Sequence, residues 1–197
     1  LSPGGAMKAL ALVLLLAVAA CKPEVAQDVS PVALTSQSVG YYCQMLLVEH
    51  DGPKGQIHLA GQPGAPLFFA QVRDTLAYLR MPEQSHAVLA VWVNDMGAPG
   101  ASWATPGADN WIRATDAVFV VGARVTGGMG APEVVPFSDA ALAAVYARQK
   151  GGAVMSLDEI PDVALLAPVD TDGAAPGPGN DTDFEQRLRA LSRKTGG

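Results

Sequence analysis

Residues 72–81 place apolar side chains at Val72, Leu76 and Leu79, a helical spacing, and Pro82 stops the run. Before it come strand patterns at 41–48, 56–60 and 67–69, and after it an almost uninterrupted apolar strand at 87–93. The same order returns downstream. Residues 117–122 and 134–137 read as strands, and Ser138-Asp139 offers an N-cap. A helix follows over 140–149 with Leu142, Val145 and Tyr146 turned inward, Gly151-Gly152 ends it, and 153–157 is the closing strand. Phe69 and Phe137 each stand just before a helix. The chain therefore reads as an α+β protein of two small related β-β-α-β units, over 38–100 and 101–167. The alternative is a single α+β domain in which the likeness is coincidental.

The ends do not contribute to that core. Met7 and Lys8 open a positive segment, and residues 9–20 are almost wholly Ala, Leu and Val. A run of that length falls short of the roughly 20 residues that cross a bilayer as a helix. It closes on Val18-Ala19-Ala20-Cys21, which resembles the lipobox of bacterial lipoprotein signals. Residues 1–20 are then a signal peptide, and Cys21 is the lipidation site. Lys22 stands where an Asp would resemble an inner-membrane retention signal, so the expected place is the periplasm, anchored to the outer membrane. Residues 21–37 read as the lipidated N-terminus and a linker. Residues 168–197 read as a disordered tail of Gly, Pro, Asp and Ala, with a short amphipathic stretch at 184–194.

Loss of residues 1–20 removes one charge, Lys8, and takes the net charge from −6 to −7. An acidic surface argues against nucleic acid and against direct binding to anionic lipid, leaving the lipid anchor as the membrane contact.

With Cys21 acylated, Cys43 is the one free thiol, in an oxidising compartment. Met45 sits two residues beyond it. Thiolate and thioether are soft donors and select Cu(I). On a strand, side chains at 43 and 45 share a face; on a loop they can still converge on one ion. Candidates for a further donor are Met129, His50, His58 and Met96. Met129 lies in Gly127-Gly128-Met129-Gly130, a pattern that suits a tight turn presenting the side chain. His58 alternates with Ile57 and Leu59 and reads as facing solvent.

Other chemistries find less support. There is no Cys-x-x-Cys pair, no zinc-spaced histidine pair, no phosphate loop and no nucleophile elbow. The chain is read as a non-enzyme.

At these residues the chain resembles the NosL family of copper-binding lipoproteins. The resemblance rests on Cys43-Gln44-Met45, Phe68-Phe69, Val91-Trp92-Val93-Asn94-Asp95, the stretch 116–122, Gly127-Gly128-Met129-Gly130 with Pro136-Phe137, and the ending from Gly151-Gly152 to Asp158-Glu159-Ile160. It implies two β-β-α-β units and Cu(I) binding. It also implies delivery of copper for the clusters of nitrous oxide reductase, with the apo-reductase and the ABC-type NosDFY complex as partners. The carrier is then a monomer or a metal-bridged dimer. Cys43 and Met45 are the motif pair, and Met129 matches the Met of the glycine-rich loop. Two positions depart from the family pattern. Gln44 stands where many members have Gly, and Ala131 where many have His, which makes His50 the better imidazole candidate. The competing reading is a structural or adaptor lipoprotein with a buried, inert Cys43.

Overall fold

The computed structural model describes residues 26–169, Glu83 and Ser85 excepted. The apolar run 9–20, Cys21 and the tail beyond residue 169 lie outside the described residues.

Two antiparallel sheets form the frame. The first contains β1 (Gly55–Leu59), β2 (Leu67–Phe69), β3 (Val88–Asn94) and β4 (Trp111–Arg113), in the order β2-β1-β3-β4. Helix α1 (Val72–Arg80) connects β2 to β3. The second contains β5 (Val118–Val121), β6 (Val135–Phe137) and β7 (Ala153–Ser156), in the order β6-β5-β7, with α2 (Ala140–Lys150) between β6 and β7. A short helix, α3 (Asp162–Leu166), follows. In both units the first strand lies between the second and the third, and the helix falls at the same point. The repeated β-β-α-β order is thus present down to the strand order. The first sheet also runs past residue 100, because β4 pairs with β3 at Trp92–Arg113, Val93–Ile112 and Asn94–Trp111.

Helix α1 belongs to the cores of both sheets. Its Val72, Leu76 and Ala77 pack with Val93 of β3, with Phe119 and Val121 of β5, and with Val134, Ile160 and Leu165. Burial of each large apolar side chain here contributes roughly 1.5–3 kcal/mol. The opposite face of β5 turns Val120 towards α2, where it meets Val135, Phe137 and Ala143. On α2 the inward face differs from expectation. Leu142 and Val145 are 44% and 39% exposed. Ala143 and Ala147 face the sheet instead, and the Tyr146 ring stands 5.3 Å from that of Phe137. The small alanines let the helix approach closely. Asp139 caps it as expected, accepting from the N–H groups of Ala141 and Leu142.

Two expectations are overturned in the first unit. Residues 41–48 form no strand. They are a chain of turns with a single bridge, Val39 to Leu46, leading into a 3-10 turn at Leu47–Glu49. Their aromatic run serves a ring cluster: Tyr41 and Tyr42 both contact Phe69 and Tyr78. His58 does not face solvent but is 1% exposed. Gln56 and His58 alternate away from Ile57 and Leu59, and residues 26–34 cover that face. The Gln56 side chain accepts from Val32 N–H at 2.9 Å and donates to Val32 C=O at 3.0 Å. Gln27 donates to Leu59 C=O, and Trp92 Nε1 donates to Val29 C=O. A stretch that reads as linker is fastened along the sheet.

The Asn94-Asp95 pair serves the frame. Asn94 Oδ1 accepts from Lys54 N–H at 2.8 Å, and its Nδ2 donates to Asn110 C=O. Asp95 accepts from the Gly97 and Ser138 N–H groups and from the Ser138 hydroxyl. It thereby ties the end of β3 to the start of α2.

Candidate metal centre

Cys43 sits in a turn that closes on itself. Gly40 N–H donates to Met45 C=O at 3.0 Å, and Gln44 N–H donates to Gly40 C=O at 2.9 Å. Gln44 has φ +55°, the left-handed region that L side chains enter at a cost of about 1–2 kcal/mol. Its amide offsets part of that cost by donating to Tyr41 C=O at 2.6 Å. Gly40 is needed for space: a Cβ there would stand 2.5 Å from Cys43 Sγ. One bond also leaves the turn: Tyr41 N–H donates to Phe68 C=O of β2 at 2.6 Å.

Met129 comes from the second unit on an equally closed loop. Thr126 and Pro132 bridge, Gly127 N–H donates to Ala131 C=O at 2.8 Å, and Gly130 takes φ +78°. The loop is pinned to the first unit from two directions. Met129 N–H donates to Gln71 Oε1 at 3.2 Å, and His50 Nδ1 donates to Gly128 C=O at 2.9 Å. A Cβ at Gly128 would meet His50, Ala70 and Asp51, so this glycine answers close packing. Beneath the loop lies Glu133, 1% exposed. Its Oε1 accepts from Arg73 and Val134 N–H groups, while Oε2 has no partner among the described residues. Burial pushes this carboxyl up to about 8 against three backbone hydrogen bonds that lower it, with Asp74 adding to the rise.

Cys43 and Met129 line the same hollow, a cavity of about 380 Å³ that also touches Tyr42, Gln71, Asp74 and Met81. Arg73 lines it too, with its guanidinium donating to Leu165 and Ala167 carbonyls. Ala131 and Leu166 complete part of the wall. Cys43 is half-buried, and Met129 is 40% exposed. An exposed apolar rim of Val39, Tyr41, Met45 and Val48 belongs to the Cys43 segment.

The other expected donors are placed elsewhere. Met45 is exposed next to Cys43 but does not line the hollow. His50 lines a different cavity with Leu34, Leu47, Val48 and Lys54. Its Nδ1 is engaged with Gly128, and its buried Nε2 has no partner among the described residues. Lys54 beside it donates to the carbonyls of His50, Asp51 and Gly52. Burial lowers its ammonium to about 8, and the three carbonyls require the charged form. His58 is bonded to Gln56 inside the first unit, and Met96 packs in the core beside α2. Among the described residues no three His, Cys, Asp or Glu side chains gather as a metal cluster. The gathered donors are sulfur. Sequence reasoning passed over Gln71, Glu133 and Met81. Only Met81 left a trace, as a soft donor next to the proline that ends α1.

Two linked α+β sheets sharing one helix, with a thiol and a thioether brought from separate units into one hollow, define a class of small domain suited to a thiophilic ion. Residues 31–165 match the family model named NosL. The copper-binding lipoprotein NosL of Achromobacter cycloclastes is 52% identical over 180 residues, covering 91% of this chain and 92% of that protein. The copper-binding lipoprotein NosL of Stutzerimonas stutzeri is 33% identical over 164 residues, covering 82% and 83%. The crystal structure of the copper chaperone NosL from Shewanella denitrificans is 34% identical, with a TM-score of 0.59 over 71% of this chain and 97% of that one. The chain belongs to the NosL family.

Proposed function

We propose that this chain is a periplasmic Cu(I) carrier that hands copper on for maturation of the copper clusters of nitrous oxide reductase. The observation that carries the reading is the meeting of Cys43 and Met129 in one hollow. A thiolate and a thioether from two rigid loops form a soft, low-coordinate site that discriminates against harder ions. Met45 is a second thioether on the same turn as Cys43, placed outside the hollow to meet the ion on entry or exit. His50 holds the Met129 loop through Gly128 and orients that ligand. Delivery follows from the small donor number: an incoming ligand from a recipient can bind before Cys43 leaves. Family membership supports the apo-reductase and the NosDFY complex as recipients. Acylation at Cys21, with an outer-membrane anchor, completes the proposal.

The test is an anaerobic Cu(I) titration against bicinchoninate, with Cys43→Ser alongside. Tight one-to-one binding that disappears in the variant is the expected result. Equal affinity in both would sink the proposal and return Cys43 to a structural role.

A further inference from the structure

We infer that Met81 is a further sulfur donor at this site, so that Cys43, Met129 and Met81 approach the ion from three separate segments; this rests on the Cu(I) reading above. Met81 lines the same hollow as the other two sulfurs. It is the residue at which α1 ends, and its N–H still donates to Ala77 and Tyr78 carbonyls, so its backbone is fixed. Its side chain is 42% exposed and is in none of the hydrophobic core clusters, so core filling does not account for it.

The sulfur is also oriented. Tyr42, the neighbour of Cys43, points its hydroxyl at Met81 Sδ at 3.8 Å. A phenol keeps its proton at neutral pH, so the Tyr42 hydroxyl is the donor in this contact. Packing against Phe69 and Tyr78 holds the Tyr42 ring in place. A thioether sulfur has two lone pairs. One meets the Tyr42 hydroxyl, and the second remains for a metal. One thiolate and two thioethers make a three-sulfur set that suits Cu(I) and discriminates against harder ions. Met81 stands on the end of the first unit's helix, a third segment that is linked to the Cys43 turn through Tyr42.

The experiment follows the methionine methyl groups by NMR in protein labelled with [methyl-13C]methionine, during anaerobic addition of one equivalent of Cu(I). The Met81 signal is assigned by its absence in Met81→Leu. Chelator competition is run on the parent, Met81→Leu and Cys43→Ser. We expect the Met81 methyl to shift with Met129 as copper is added, and Met81→Leu to bind about tenfold more weakly, a change of about 1.4 kcal/mol. X-ray absorption should count one sulfur fewer in the variant. If Cys43→Ser loses binding while the Met81 methyl stays still and Met81→Leu binds as the parent does, Met81 is not a ligand and the carrier reading stands. If Cys43→Ser binds as tightly as the parent, both readings fall together. The Met81 methyl is also assigned in the parent by its NOE contacts to the Tyr42 ring, so the parent spectrum decides the matter even if Met81→Leu misfolds.

Discussion

His50 Nδ1 donates to the carbonyl oxygen of Gly128 at 2.9 Å, joining the segment that follows Cys43-Gln44-Met45 to the loop that carries Met129. The bond crosses between the two units. We expect His50→Phe, which keeps the ring bulk but has no donor, to cost about 1 kcal/mol of stability. Amide exchange at Met129 and Gly130 should quicken, and Cu(I) affinity should fall without a change in stoichiometry. Unchanged exchange, together with loss of a nitrogen scatterer from the copper X-ray spectrum, would make His50 a ligand instead.

Gly40 and Cys43 are coupled by space. Gly40→Ala puts a Cβ 2.5 Å from Sγ, so the thiol must move. Overpacking of this kind costs typically 1–3 kcal/mol. Copper affinity should drop by more than thermal stability alone explains, which comparing the two measurements on one preparation will show. Parent-like affinity would mean that the turn adapts freely.

Gln44 bears a left-handed backbone angle without being glycine. Gln44→Gly relieves the steric cost but loses the bond to Tyr41 C=O and adds chain entropy. Its stability should stay within about 1 kcal/mol of the parent. A β-branched replacement, Gln44→Ile, should lose about 1–3 kcal/mol. Urea unfolding of the pair measures both. Equal midpoints would contradict the turn geometry.

Glu133 makes stability depend on pH. Its folded carboxyl lies near 8, above the ordinary 4.5, because burial disfavours the charged form. Between those values the folded state binds the proton and the unfolded state does not. Stability therefore falls as pH rises from about 4.5 to 8, by at most about 1.4 kcal/mol per pH unit from this group, and levels above that window. Glu133→Gln keeps an oxygen for the Arg73 and Val134 N–H groups and should flatten this part of the profile. Denaturation midpoints across the window, compared between parent and variant, test it; parallel profiles would show that Glu133 stays charged.

Much of the frame was legible because it rests on short-range periodicity. Val72 and Leu76 announce α1, Asp139 announces the start of α2, and the repeated order of elements along the chain follows from two runs of like pattern. The misreadings arise where distant segments decide. Residues 41–48 have strand composition, yet Tyr41 and Tyr42 find Phe69 and Tyr78, and Gln44 turns the chain. His58 is buried by residues 26–34, whose own sequence has no period to show it. Leu142 gives way to Ala143 and Ala147, which pack on the sheet while Leu142 stays 44% exposed, a choice that hydrophobicity alone does not show. At the site, Cys43 and Met129 were visible one by one, and Met81 was passed over. Their convergence was not visible, since Cys43, Met81 and Met129 are brought together by α1 sitting between two sheets.

The fastening of residues 26–34 has a mechanical consequence. Gln27, Val29, Val32 and Leu34 are each bonded to the body of the protein, at Leu59 and Gly61, Trp92, Gln56 and Ala108 in turn. All of them precede Gly40 along the chain. Tension applied from the N-terminal side, as a tether would apply it, has to unzip these fastenings one after another before any load reaches the turn that holds Cys43. The strap works as a strain relief, like the clamp that keeps a pulled cable from disturbing its connector.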